Sequence, residues 1–388
     1  MDFTFTDEQE SIRAGVAKIC ARFDADYWLR KDRDGGFPHD FHAAFVEAGW
    51  LGICIPEEYG GAGLGLTEAA LMMQAVAESG AGLSGASALH MNIFGVNPVV
   101  VFGTDEQKAR MLPPLIAGKD KACFAVTEPD VGLDTLKLKT KATREGGRYI
   151  LAGQKIWIST AQVATKMLIL ARTTPIEELK KPSQGLSLFY TDLDRRFVDV
   201  REIEKMGRKA VDSNELFIDG LAVPEADRIG EEGRGFEYIL HGMNPERVLI
   251  AAEAIGLGRA ALARAVGYAK ERVVFGRPIG QNQAIQHPLA ACWMELEAAN
   301  LMAFKAALLY DRGAPCGAEA NAGKYLAAEA AFKACETAVM THGGMGYAKE
   351  YHVERYLREA MIPRLAPVSP QMILCFIAEK VLGLPKSY

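Results

Sequence analysis

Cys123-Phe-Ala-Val-Thr-Glu-Pro129 and, about thirty residues later, Lys155-Ile-Trp-Ile-Ser159 are the two runs on which the reading of this chain turns. Both lie in a stretch, Ala122 to about Val223, whose texture differs from that on either side. There, Tyr149-Ile-Leu, Met167-Leu-Ile-Leu-Ala, Leu186-Ser-Leu-Phe-Tyr and Glu215-Leu-Phe-Ile read as strands. Gly146-Gly147 and Asp219-Gly220 read as hairpin turns between such strands. Taken alone, Thr-Glu-Pro is an ordinary turn and Trp157 a core or hairpin aromatic.

Outward from that stretch the pattern is helical. Thr6-Asp-Glu-Gln opens a helix with a cap and an acidic first turn, and Ile12, Val16 and Ile19 continue the apolar spacing. Gly60-Gly-Ala-Gly-Leu-Gly65 is a loop, followed by an Ala/Met-rich helix over Thr67 to Ser79. After Gly235, long Ala-rich segments with apolar residues three and four apart run to about Leu382. The order helical, β, helical describes an α+β multidomain chain divided at 1–118, 119–232 and 233–388.

Composition excludes several classes. The 388 residues carry a formal net charge of -5 with no basic block, which argues against a nucleic-acid partner. The opening Met1-Asp-Phe-Thr-Phe-Thr-Asp-Glu has neither the signal-peptide nor the transit-peptide layout. No apolar stretch reaches membrane-spanning length without Gly, Pro or charge. The seven cysteines form no Cys-x-x-Cys and read as reduced, mostly buried thiols of a cytoplasmic protein. His39 and His42 share a helical face but lack a third ligand, so they read as surface residues and no metal is expected. No local motif supports Ser-His-Asp chemistry.

Three further motifs fall in order behind the first two: Arg272-Val-Val-Phe-Gly-Arg-Pro278 followed by Gln283, His342-Gly-Gly-Met-Gly-Tyr347, and Glu354-Arg-Tyr356. Together the five resemble the acyl-CoA dehydrogenase family over nearly the whole chain. That resemblance implies an N-terminal α-helical domain, a middle β-barrel-like domain and a C-terminal four-helix bundle, with FAD as cofactor. It gives Trp157 the face of the flavin ring, and Thr127 and Ser159 hydroxyl contacts to its polar edge. Backbone groups near Phe124, Val126 and Ile158 add hydrogen bonds. Arg272 would hold the pyrophosphate, a task suited to a bidentate guanidinium, with Phe275 and Gln283 flanking it. Gly343 and Gly344 would let backbone approach the cofactor, and Ser369 and Gln371 would lie near its adenine end. A cofactor shared across subunits implies a homo-oligomer, usually a dimer of dimers, and an electron-transferring flavoprotein as acceptor.

The sequence departs from the family pattern at three places. Gly132-Leu-Asp134 lacks the usual serine, Met340 stands where glutamine is common, and Ala366-Pro-Val-Ser369 replaces a Tyr-Glu-Gly-Thr loop whose Glu is the catalytic base. Pro367 cannot be that base. Glu246, immediately before Arg247, matches branches of the isovaleryl and long-chain type that carry their base on a helix of the last domain. Its bland alternative is a first-turn carboxylate stabilised by the helix dipole, behind Asn244 as cap and Pro245 as first helical residue. Asn244, Arg247 and Val368 are the expected substrate contacts. Val368 replaces the missing Pro367 N–H if the loop register is displaced; otherwise half the oxyanion site is absent. His342 is expected to be structural. The function expected is dehydrogenation of an acyl-CoA to a trans-2-enoyl-CoA. The rivals are a desulfinase, for which Ser84-Gly-Ala-Ser87 offers no arginine, a flavin oxidase or monooxygenase, and a non-catalytic acyl-CoA-binding protein. Residues around Leu83 to Phe94 are expected to line the acyl pocket floor.

Overall fold

The computed structural model describes residues 4–387. Helices α1 (Asp7–Cys20), α2 (Ala25–Asp34), α3 (His39–Glu47), α4 (Leu66–Val76), α5 (Gly82–Ile93), α6 (Asn97–Phe102) and α7 (Asp105–Ile116) come first. The expected cap is present as a full capping box: Thr6 Oγ accepts from the Gln9 amide, and the Gln9 side chain accepts from the Thr6 amide. The helix expected over Thr67 to Ser79 ends earlier, at Val76. A π turn over Ala77–Ala81 follows, in which Gly80 has φ 101°, and the chain re-enters a helix as α5. This kink gives α5 its own direction, and α5 forms one wall of the candidate site.

The β region holds β1 (Ala122–Ala125), β2 (Lys141–Glu145), β3 (Arg148–Ser159), β4 (Lys166–Arg172), β5 (Leu186–Asp192), β6 (Val198–Glu202), β7 (Ser213–Pro224) and β8 (Arg228–Ile229). They form one sheet in the order β6-β7-β3-β2-β4-β5-β8, with β1 added in parallel to β4. Its inner face buries Tyr149, Leu151, Ile169, Phe189, Leu216 and Val223. Gly146-Gly147 makes the β2–β3 hairpin as expected, both glycines lying in the left-handed region. Asp219-Gly220 does not turn the chain. Asp219 pairs with Ala152 and Leu221 with Leu151, so Gly220, at φ 73°, is an extra residue absorbed as a bulge within continuous β7.

The last region is built on α8 (Gly235–Glu271), α9 (Gln283–Asp311) and α10 (Gly317–His342), with the short β9 (Val273–Val274) and β10 (Arg277–Pro278) between the first two. A fourth, interrupted helical run follows: α11 (Val353–Glu359), α12 (Ile362–Leu365) and α13 (Pro370–Phe376). Small residues let the long helices approach: Ala251, Ala254, Ala299, Ala303, Ala327 and Ala331 share one buried cluster. At Gly258 an added Cβ would stand 2.6 Å from Leu296 Cδ2. The seven cysteines are free and five are buried. Leu66–Phe102 and Val353–Val381 have the length and apolarity of membrane spans, but each is several helices broken by turns, and the first is mostly buried in the fold.

Helix α8 corrects one sequence expectation. It starts eleven residues before Glu246 and runs unbroken through Asn244-Pro245. Pro245 lacks only the N–H that would bond the preceding turn, and a 37-residue helix packed on α4, α9 and α10 absorbs that loss. Glu246 is therefore mid-helix, where the helix dipole of a first turn does not act.

Candidate active site

The two opening runs are fastened to each other. Strand β1 leads into Val126 and Thr127, whose carbonyl accepts from the Ile156 amide at 3.0 Å. Beneath that bond lies a fully buried ammonium: Lys155 Nζ donates to Glu128 Oε1 at 3.0 Å, Val126 O at 3.1 Å and Leu170 O at 2.8 Å. Glu128 also accepts from the amides of Lys139 and Thr140 and from the Thr140 hydroxyl. Burial pushes Lys155 down to about 8 against the pull of Glu128. Burial acts on Glu128 in the opposite sense, but Lys155 and these donors win and hold it below its ordinary value. Glu128 and Lys155 therefore clasp the segments that the sequence singled out.

The clasp sets up an exposed indole. Between Lys155 and Ile158 the register with β7 shifts, and Trp157 takes φ 61° with 56% of its surface exposed. A bulge that turns a side chain out of the sheet is a common device beside functional sites. Ile158 is buried, its carbonyl accepting from Asn214 Nδ2 at 2.8 Å. Phe124 is partly buried with its ring 5.0 Å from Phe94, and Val126 is buried. Trp157→Ala is expected to weaken FAD binding about tenfold, the size of a lost aromatic stacking contact. Fluorescence of FAD released on dilution measures it.

Arg272, Phe275, Gln283, Gly343 and Gly344 gather at one end of the bundle, where α8 and α10 end and α9 begins. Ser369 and Gln371 do not: Lys324, 18 residues before His342 on α10, holds the adjoining Val368. Arg272 caps the C-terminus of α8, Phe275 is wholly exposed at φ 53°, and Gln283 begins α9. One turn before Arg272, Tyr268 stacks on His342 at 4.3 Å, which brings Gly343 and Gly344 to the same end. His342 Nδ1 lies 2.7 Å from Ala338 O, a structural role as expected. A Cβ added at Gly343 or Gly344 would meet nothing within 4 Å, so backbone is open there. Ser369 caps α13 by accepting from the Met372 amide, and Gln371 is exposed on the first turn. Among the described residues no hydrogen bond or ring contact joins this group to the Trp157 segment. The donors nonetheless suit FAD: an open indole face with two hydroxyls at one place, and at the other an exposed arginine that, among the described residues, has no carboxylate partner beside open glycine backbone.

At the centre, Glu246 is buried, 8% exposed, and paired with a residue the sequence reading passed over. His90 Nε2 of α5 lies 2.5 Å from Glu246 Oε2, and His90 Nδ1 lies 2.6 Å from Glu253 Oε1. His90 is 5% and Glu253 1% exposed. Burial alone would lower the imidazole, but the charges and hydrogen bonds of Glu246 and Glu253 outweigh it and hold His90 well above its ordinary value. Arg247 is partly buried and donates to Met243 O and Asn244 Oδ1, both at 3.1 Å, rather than forming a surface ion pair. Lys324 of α10, pushed down to about 8 by burial and by Arg247, donates to Val368 O at 2.7 Å. That bond anchors the loop carrying Pro367, which follows a cis peptide, next to the residues around Glu246.

One more residue, Arg208, escaped the sequence reading, and another, His42, was expected at the surface. Arg208, left-handed at φ 56°, donates to Ser87 Oγ at 3.0 Å, Ser159 Oγ at 2.9 Å and Ser213 Oγ at 3.1 Å, so the wall formed by Ser84–Ser87 has its arginine from elsewhere in the chain. His42 is buried against Asn92 at 3.0 Å rather than on the surface, and burial with Lys121 pushes it down to about 4. The signal for His90 was present but faint: Glu246 and Glu253 are seven residues apart, hence on one face of α8, amid Ala, Leu and Ile.

Family models agree with this geometry. Residues 6–119 match the acyl-CoA dehydrogenase N-terminal domain, 123–221 the middle domain and 233–381 the C-terminal domain. The chain is 38% identical to the acyl-CoA dehydrogenase FadE12 of Mycobacterium tuberculosis, over 100% of this chain and 99% of that protein. It superposes on butyryl-CoA dehydrogenase from Megasphaera elsdenii with a TM-score of 0.93 at 30% identity, covering 98% and 100% of the two chains. A chain in the structure of the electron transferring flavoprotein of Acidaminococcus fermentans gives a TM-score of 0.94 at 31% identity, covering 98% and 100%. This chain, with three matched domains, belongs to the acyl-CoA dehydrogenase family of FAD-dependent oxidoreductases.

Proposed function

We propose that the enzyme dehydrogenates an acyl-CoA thioester to a trans-2-enoyl-CoA, with Glu246 as the base. One observation carries this reading: a buried, hydrogen-bonded carboxylate stands at Glu246, while the C-terminal loop offers only Pro367 where its relatives' base would be. FAD, when bound, supplies the two-electron acceptor for the β-hydride. Trp157, Thr127 and Ser159 hold its ring, and Arg272, Phe275, Gln283, Gly343 and Gly344 its dinucleotide end. Only Oε2 of Glu246 is engaged by His90, which leaves Oε1 to meet the α-proton. Arg247 and Asn244 bind the CoA part, and Lys324 holds Val368 in the loop that faces the thioester.

Electrons pass on to an electron-transferring flavoprotein, a partnership supported by the Acidaminococcus neighbour. The working unit is a tetramer: Trp293, Met294, Leu301, Leu308, Leu326 and Met340 leave the long helices with a broad apolar surface to cover. Seven free thiols support a reducing, cytoplasmic setting. Arg208 favours a second reading of the substrate. Among the described residues this guanidinium donates to three serine hydroxyls and makes no direct ion pair, though it feels the charges of Glu359, Glu253 and Asp212. Its place against α5 suits an acyl group that carries its own acidic end, including a sulfinate.

The test is an anaerobic titration of the purified flavoprotein with short, branched, long and acidic acyl-CoAs. Bleaching of the flavin band by one of them, with the enoyl-CoA recovered, is the expected result. Release of sulfite would instead select the desulfinase, and an unbleached flavin across the whole panel would sink dehydrogenation.

A further inference from the structure

Glu246, His90 and Glu253 form a closed line of charge. The carboxylates project from one face of α8, two turns and about 10.5 Å apart along the axis. The imidazole of α5 fits between them, with both ring nitrogens engaged at 2.5 and 2.6 Å. The Phe94 ring packs beside it at 5.6 Å. Charged groups on neighbouring elements feel the set: Arg208 feels Glu253, and Arg247 and Lys324 feel Glu246. A buried base needs its carboxylate aimed, and a lone carboxylate on a flexible three-bond stem is not.

We propose that His90 is the positioning residue of the base, and that Glu253 fixes the ring and balances its charge. The inference rests on the reading of Glu246 as base. With both ring nitrogens protonated, the set carries one net negative charge before reaction. The Cα–H bond then breaks, its proton joins Glu246, and its electron pair enters the Cα=Cβ bond as the β-hydride leaves for the cofactor. What remains is a neutral acid beside a matched imidazolium–carboxylate pair, so no buried charge is stranded on either side of the step. Without Glu253, His90 would be an unpaired cation once Glu246 is protonated. Without His90, two carboxylates would face each other in an apolar interior.

The experiment compares anaerobic flavin reduction in His90→Gln, Glu253→Gln and Glu246→Gln holoenzymes from pH 6 to 9, with FAD content as the check on folding. His90→Gln is expected to slow reduction about 10- to 100-fold with KM within about threefold of wild type, the signature of a misaimed base. Glu253→Gln is expected to add an ionisation, with reduction falling toward high pH as the imidazole loses its charge, where wild type is flat. If His90→Gln loses FAD, the double variant His90→Gln/Glu253→Gln removes the stranded carboxylate and is measured in its place. Wild-type rate and pH profile in the histidine variant, with Glu246→Gln inactive, would overturn the positioning role and leave the base assignment standing. Wild-type reduction in Glu246→Gln would instead overturn the base itself.

Discussion

Glu246→Gln is expected to keep its FAD and its affinity for acyl-CoA while losing flavin reduction by about 10³-fold or more, roughly 4 kcal/mol of transition-state stabilisation. The amide is isosteric with the carboxylate, so the wall formed by α8 should hold its shape and KM should move little. It cannot accept the α-proton, so the loss falls on the chemical step and lowers kcat and kcat/KM together. His90 remains in reach of the amide oxygen, and the His90–Glu253 pair keeps the interior satisfied. Rapid-mixing absorbance under anaerobic conditions gives the rate, and a charge-transfer or binding titration gives the affinity. Glu246→Asp discriminates further. A carboxylate retracted by one methylene keeps the proton chemistry but misses its position, so it should fall between wild type and Gln. If both variants lost affinity in equal measure to rate, Glu246 would be a substrate-binding wall and the base would lie elsewhere.

The fold was legible because its signals are local. The Thr6 cap, the Gly146-Gly147 hairpin and four strand runs each announce themselves within a few residues, and each took its expected form. Asp219-Gly220 misled because a left-handed glycine serves a bulge as well as a turn, and only the partner strand decides between them. Asn244-Pro245 misled in the same way: it is a good helix start, but tertiary packing carried α8 across it. The motif residues Glu128 and Lys155 were on the page, yet their pairing was not, since 27 residues separate them in sequence and a buried bond joins them in space. His90, Arg208 and Lys324 come from three different regions. A lone histidine in an apolar helix looks the same whether it is core or site until its partners arrive from α8.

Glu359→Ala is expected to be the most destabilising single change outside the chemistry, at about 3–5 kcal/mol. Glu359 is fully buried on α11 and caps α5 from a distance. It accepts from the Leu83 amide at 2.7 Å, the Ser84 amide at 3.2 Å and the Ser84 hydroxyl at 2.7 Å. Its other partner is Arg355, 3.3 Å away and 1% exposed, which also donates to Gly80 O at 2.6 Å in the kink before α5. Truncation strands three donors and an unpaired guanidinium inside the protein, and a buried donor without a partner costs about 1–3 kcal/mol by itself. Helix α5 also carries Ser87 and His90, so the damage should spread to the site: acyl-CoA affinity should fall along with the urea midpoint. Arg355→Met/Glu359→Met separates the causes. If buried charge is the main loss, the apolar pair should recover much of the stability of Glu359→Ala, because neither ion is then left alone. If capping of α5 dominates, the double variant should stay as weak as the single one, for methionine offers the Leu83 and Ser84 amides nothing to bond.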